Sequence, residues 1–189
     1  LHVRFFYGLG FATFTGIFSL YTQSIGLNAQ TTGYILAYVG FISVIVQGVL
    51  IGQLTKRFQE NWLIVTGLWI MAAALLAWAF TTQLWVLLVV ILPLGLAGGV
   101  LNTVLQSAIS KSVHRDEVGG ILGVAGSLEA LTRVLAPSIG GLLLQSLGRW
   151  APGVFSAVIM VWAVTFAYRR IILPANRKSG LAEGDSTIA

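Results

Sequence analysis

The chain of 189 residues contains no cysteine, two methionines and four prolines, and only 9% of its residues are charged. A soluble domain carries about 25% charged residues. Too little polar side chain is therefore present to cover a water-facing surface. That shortage excludes an ordinary cytosolic enzyme and a disordered tail, and the lack of cysteine excludes a disulfide-stapled secreted module. With only His2 and His114 besides, neither a zinc site nor any other metal or cofactor is expected. What the chain has in quantity is apolar surface: 57% hydrophobic residues and 22 glycines, with a mean hydropathy of +0.88. The net charge of +5 could serve nucleic acid in a soluble protein. In so apolar a chain it reads as Lys and Arg that orient a membrane protein. The expected partner is a lipid bilayer, with no nucleic acid.

The positions of the charges carry more than their number. Residues 5–55 and 61–110 hold none. One bilayer crossing needs about 20 apolar residues, so each gap fits two helices and a turn. Thr22–Thr32 and Thr81-Thr82-Gln83 supply the turns. A third pair follows Lys111, broken at Gly148–Pro152, where Pro152 suits the first turn of the last helix. Runs such as Leu84–Leu92 do not alternate, which excludes a transmembrane β-barrel. The fold class is therefore an all-α polytopic membrane bundle with six transmembrane helices, near residues 4–24, 33–54, 63–81, 84–109, 120–147 and 153–172. Residues 1–172 form the six-helix unit and 173–189 a polar cytoplasmic tail.

Arg4, Lys56, Arg57, Lys111, Arg115, Arg169, Arg170, Arg177 and Lys178 fall on one side of this arrangement and Arg149 alone on the other. The basic side faces the cytoplasm, so both termini are expected there, in a bacterial plasma (inner) membrane. Trp62, Trp85 and Trp150 fall at the expected interfaces. The first residue is Leu1, and its apolar segment is too long for a signal-peptide core, so the sequence reads as a piece of something longer.

Two segments go beyond composition. In Val46–Glu60, the residues Gly52, Leu54, Arg57 and Phe58 follow a Gly-x-Leu-x-x-Arg-Phe pattern, with Gln59 in place of a usual Gly. From Asn102 and Ser107 onward come Val113–Gly120, Gly123, Ser127-Leu128, Leu131, Arg133, Ala136-Pro137 and Gly140-Gly141. The first resembles the loop between helices eight and nine of major facilitator superfamily (MFS) transporters. The second is similar to helices ten and eleven of their drug-proton antiporter branch. The resemblance covers residues 4–172 and implies the C-terminal six-helix half of an MFS fold, built from two inverted three-helix repeats. It implies a missing N-terminal six-helix half, a small-molecule substrate, protons as coupling ions and alternating access, with no bond made or broken and hence no enzyme. No Asn-Pro-Ala pair, Gly-x-Ser-x-Gly motif or nucleotide-binding loop points to another six-helix family.

Glu129 and Arg133 are the charges expected well inside a span. They lie four apart on one helix face, and at bilayer depth they must face the bundle or a cavity. They form either a gate pair or a structural ion pair. Arg57, Asp116 and Glu117 are further gate candidates, with Asp116 or Glu117 capping the next helix. Tyr7, Phe11, Phe14 and Phe18 make an aromatic stripe at helical spacing, which either lines a substrate pocket or packs. Asn102 and Gln106 share a face of the fourth crossing and serve either a substrate cavity or interhelical hydrogen bonding. Gly48, Gly52, Gly95, Gly99, Pro137, Gly140 and Gly141 are expected to pack helices closely. Ser43 and Gln47, a polar pair four apart, are read as packing too.

These readings converge on half of a secondary transporter for a lipophilic solute, working by proton-coupled efflux. Two alternatives stay open at this point: a non-transporting membrane subunit or assembly factor bound to other membrane subunits, and an MFS transporter of a polar metabolite such as a sugar or organic acid.

Overall fold

Residues 1–169 are described by the structure, a computed structural model. The expected tail and the residues from Arg170 onward lie outside the described residues. In chain order the elements are α1 (His2–Ser24), α2 (Ala29–Ile45), a π-helical turn (Val46–Leu50), α3 (Ile51–Arg57), α4 (Glu60–Ala79), α5 (Leu84–Lys111), a 3-10 turn (Arg115–Glu117), α6 (Val118–Leu147) and α7 (Ala151–Ala167). The π turn joins α2 and α3 into one rod, Ala29–Arg57. The described residues therefore form six rods, the all-α membrane bundle expected from the sequence. Five of them are long and apolar enough to cross a membrane, and α7 is apolar over 17 residues.

Local chemistry sets where the rods stop. Gly26 turns the chain after α1 with φ +84, a conformation that only glycine adopts without strain. Asn28 then opens α2, its Oδ1 accepting from the Thr31 N–H at 2.7 Å. Thr22 and Thr32 join hydroxyls across this turn at 2.7 Å. The α6–α7 turn uses Gly148 at φ +96, and a proline occupies the first turn of α7. Inside the rods Thr13, Thr103 and Thr165, and just past the end of α4 Thr81, donate to the carbonyl four residues back. No hydroxyl among them is left without an acceptor in apolar surroundings.

The core lies where α1, α4, α5 and α7 meet. There α1 runs along α6 and α7, α4 along α5 and α7, and α2 along α5. Trp78, Phe14, Phe18, Leu68, Leu75, Ile91 and Leu94 are fully buried. Tyr21 donates to the carbonyls of Trp78 and Thr81, pinning the end of α1 to the end of α4. The flanking rods are different: 11% of the apolar window of Arg115–Leu147 is buried, against 56% for α4. Large apolar side chains on α2 and α6 (Tyr34, Phe41, Val134, Leu142) are exposed. They face lipid or another membrane segment, since in a bilayer an apolar surface needs no further cover.

Glycines set how close the helices come. A Cβ on Gly153 would sit 2.7 Å from the Ala79 Cβ and 2.8 Å from its Cα, so α7 and α4 touch backbone to backbone. Gly95 meets Ile42 at 3.2 Å, Gly99 meets Val46 at 3.0 Å, and Gly140 meets Ile17 at 2.7 Å. Pro137 lies 3.0 Å from the Cβ position of Gly16. Gly48, Gly52 and Gly141 have nothing within 4 Å of a Cβ. These three, also expected to pack helices, meet no partner helix among the described residues.

Candidate functional site: a charged cleft between α1, α2, α5 and α6

Arg4 is the centre of the site. It stands in the first turn of α1 yet is buried, at 8% exposure. It lies beside Asn102, nine residues before the end of α5, about 13 Å along the helix at 1.5 Å per residue. Arg4 is therefore far from the end of the bundle, which corrects its assignment to the cytoplasmic surface. Its Nη1 donates to Asn102 Oδ1 at 2.9 Å and to the Asn102 carbonyl at 3.1 Å. Its Nη2 donates to Glu129 Oε2 at 2.8 Å. The other carboxylate oxygen, Oε1, accepts from Arg133 Nη2 at 2.8 Å, one turn further along α6. One carboxylate is thus shared by two guanidinium groups, and through them α1, α5 and α6 are joined. Glu129 and Arg133 do pair, as the four-residue spacing expects; the third partner is Arg4.

These residues line a cleft of about 380 Å³ between α1, α2, α5 and α6. Its apolar wall is Tyr7 and Phe11, stacked at 5.9 Å with 10° between ring planes. Tyr7 donates its hydroxyl to the Gly98 carbonyl at 3.1 Å. Gly98 and Gly99 leave the room for this wall: a Cβ on Gly98 would stand 3.5 Å from the Phe11 ring, and one on Gly99 would press on Val46. Val46 is the first residue of the π turn, and Ser43 just before it and Gln47 within it reach the cleft. Sequence reasoning assigned Ser43 and Gln47 to packing; their place on the cleft wall is a correction.

Toward Lys111 the cleft runs into a polar groove of about 670 Å³ lined by Asn102, Gln106, Ser107 and Ser110. Asn102 belongs to both cavities and Gln106 to the groove alone. Near the groove, Glu60 at the start of α4 pairs with Lys111 at the end of α5 and accepts from the Ser107 hydroxyl at 3.2 Å. Each charge lies at the helix end that its sign favours.

Other candidate residues lie elsewhere. Phe14 and Phe18 are fully buried. Phe14 meets Trp78 edge-on at 4.9 Å and Phe18 at 5.1 Å. They are core, because from Phe14 onward the aromatic side chains of α1 pack on Trp78 of α4 and on one another, so the expected stripe lines the cleft only through Tyr7 and Phe11. Arg57, Asp116 and Glu117 are exposed and make no side-chain hydrogen bond or ion pair among the described residues. Glu117 stands at the N-cap of α6 and makes no side-chain hydrogen bond to its backbone. Arg4 was missed as a site residue. The only available signal was a basic residue directly adjoining a 51-residue uncharged run, and that equally marks a membrane boundary.

Residues 2–187 match the family described as Major Facilitator Superfamily. The chain is 32% identical over 149 residues to mouse "Solute carrier family 22 member 18", covering 77% of this chain and 36% of that protein. It is 28% identical over 161 residues to the Escherichia coli "Tetracycline resistance protein, class C", covering 85% and 39%. Among solved structures it is similar to the human organic anion transporter MFSD10 (TETRAN), with a TM-score of 0.79 at 20% identity over 87% of this chain and 39% of that one. The chain thus spans under two fifths of the length of these relatives. With the six-rod bundle and its long apolar helices, these likenesses place the protein: it is an integral membrane protein of the Major Facilitator Superfamily.

Proposed function

We propose that this six-helix unit is one half of a secondary active transporter that exports a small lipophilic molecule by proton-coupled alternating access. The observation that carries this reading is the Arg4–Glu129–Arg133 cluster in an open cleft among membrane-spanning helices. Charges at bilayer depth are costly and mark solute or ion pathways by default. The cleft opens on the side of α2 and α6, the two rods with the least buried surface. A second six-helix unit facing them would close it, and rocking of the two units about the cleft would expose the solute to each side in turn. The greater length of the relatives supports that arrangement, and the tetracycline resistance proteins among them support drug efflux in a bacterial inner membrane.

In this reading Tyr7, Phe11 and Asn102 contact the solute and Gln106 lines its way toward the Lys111 end. Glu129 and Arg133 form the ion pair that changes partners between states. Arg57, Asp116 and Glu117 lie on the cytoplasmic surface with both termini. The cleft moves a solute and alters no covalent bond.

The test is efflux by the complete natural protein in bacteria stripped of their main drug pumps. Cells expressing it should hold less of a lipophilic dye or of tetracycline than cells expressing Glu129→Leu, and an uncoupler should abolish the difference. Equal accumulation in both would refute the proposal.

A further inference from the structure

The cleft carries more positive than negative charge. Among its described lining residues the ionised side chains are Arg4, Arg133 and Glu129. The adjoining groove adds the neutral amide of Gln106 and several hydroxyls, but no further carboxylate. The two guanidinium groups are not equally engaged. Arg4 is committed: its side chain is 9% exposed, with one terminal nitrogen held by Asn102 and the other by Glu129. Arg133 makes one hydrogen bond, to Glu129, and its side chain is 73% exposed. A guanidinium has five N–H donors, so most of those on Arg133 remain available at the mouth of the cleft. Across from them stand the stacked rings of Tyr7 and Phe11.

Resting on the reading of this cleft as the solute site, we propose that the solute is an amphipathic organic anion: a carboxylate or sulfonate carried on an aromatic body. Its acid group is received by Arg133, and its ring lies on Tyr7 and Phe11. A planar guanidinium fork matches a carboxylate through two parallel charge-assisted bonds. Glu129 is the standing counter-ion of the empty cleft. When a solute anion arrives, Arg133 turns from Glu129 to the solute, and Glu129 keeps its bond to Arg4. An organic cation meets the opposite situation, because the one carboxylate among the described lining residues is already paired with two arginines and the cleft keeps a net positive charge.

Three naphthalene compounds that share a ring and differ in charge provide the test: 1-naphthaleneacetate, 1-naphthaleneacetamide and 1-naphthylmethylamine. Their binding to the complete natural protein in lipid nanodiscs is measured by equilibrium dialysis. The acetate should bind at least about tenfold more tightly than the amide, with the amine weakest. Arg133→Gln should shrink the acetate-to-amide ratio toward one, and Arg133→Lys should restore part of it. Glu129→Gln, which removes the resident anion, should raise the ratio. Amide or amine binding as tight as the acetate, an acetate advantage that survives Arg133→Gln, or no binding of any of the three would overturn the proposal. Transport in proteoliposomes separates this from the broader reading. Export of neutral or cationic compounds without an acetate preference would leave the transporter standing and remove the anion. An acetate preference without transport would do the reverse.

Discussion

The Nη2 of Arg4 lies 2.8 Å from the Oε2 of Glu129, joining residues 125 positions apart in the chain. The two ends of this bond are unequal, since the Arg4 side chain is 9% exposed and that of Glu129 34%. Loss of Arg4 leaves a carboxylate that still holds Arg133 and opens onto the cleft. Loss of Glu129 leaves a buried guanidinium with Asn102 as its remaining acceptor.

An asymmetry in stability follows. Removing one partner of a buried pair costs most when the survivor is the buried charge. Glu129→Leu should therefore lower the stability of the purified protein by about 1–3 kcal/mol more than Arg4→Leu does. Thermal unfolding of the two variants in one detergent ranks them. Equal melting temperatures would show that Arg4 reaches water by another route.

A second contrast concerns two glycines that look alike in sequence. Gly153→Ala forces a Cβ to within 2.8 Å of the Ala79 backbone, which cannot yield as a flexible side chain would. It should destabilise the bundle by about 1–3 kcal/mol, the range for overpacking. Gly141→Ala meets nothing within 4 Å and gains helix propensity, so it should be neutral or stabilising by up to about 1 kcal/mol. The same unfolding measurement decides; a Gly153→Ala protein as stable as the parent would mean that α4 and α7 separate freely.

The contrast also shows what the sequence could carry. Six crossings were legible because long uncharged runs and the turns between them record bilayer thickness directly. Glu129 with Arg133 was legible because a four-residue spacing fixes a shared helix face. Which way a face points was not legible. Inside a membrane an apolar residue is equally at home against lipid, core or cleft, so spacing could not separate Tyr7 and Phe11 from Phe14 and Phe18. Close-packing glycines were hard to rank for the same reason: Gly48 and Gly52 have the spacing of a packing pair and nothing within 4 Å among the described residues, while Gly153, with Ala157 four residues on, has the same small-residue spacing and touches backbone. Arg4 was hidden by its place at the end of an apolar run, because its depth is set by α5 and α6 alongside it.

These 189 residues contain no cysteine, so once any cysteines elsewhere in the complete protein are replaced by serine, the cleft is testable by chemical labelling. Phe14 and Thr15 are adjacent, but Phe14 is fully buried while Thr15 is exposed and lines the cleft. In the complete protein, Thr15→Cys should react with a small hydrophilic methanethiosulfonate on the order of tenfold or more faster than Phe14→Cys, whose thiol is reached only by local opening. A bound solute should slow the reaction at Thr15→Cys. Equal rates would mean that the cleft excludes water or that α1 is turned otherwise.

Orientation in the membrane is open to the same chemistry, and its charge argument has changed. With Arg4 moved into the bundle, the basic set falls from nine to eight residues against Arg149 alone, and three of the eight (Arg170, Arg177 and Lys178) lie beyond the described residues. Lys56, Arg57, Lys111, Arg115 and Arg169 still share one end, and that excess should face the cytoplasm. Gln83 and His114 are exposed residues flanking the two ends of α5, a rod of 28 residues or about 42 Å. In intact cells a membrane-impermeant maleimide should label Gln83→Cys at once and His114→Cys only after the membrane is opened. Labelling in the reverse order would place the basic end outside, and with it the Glu60–Lys111 pair and the mouth of the polar groove.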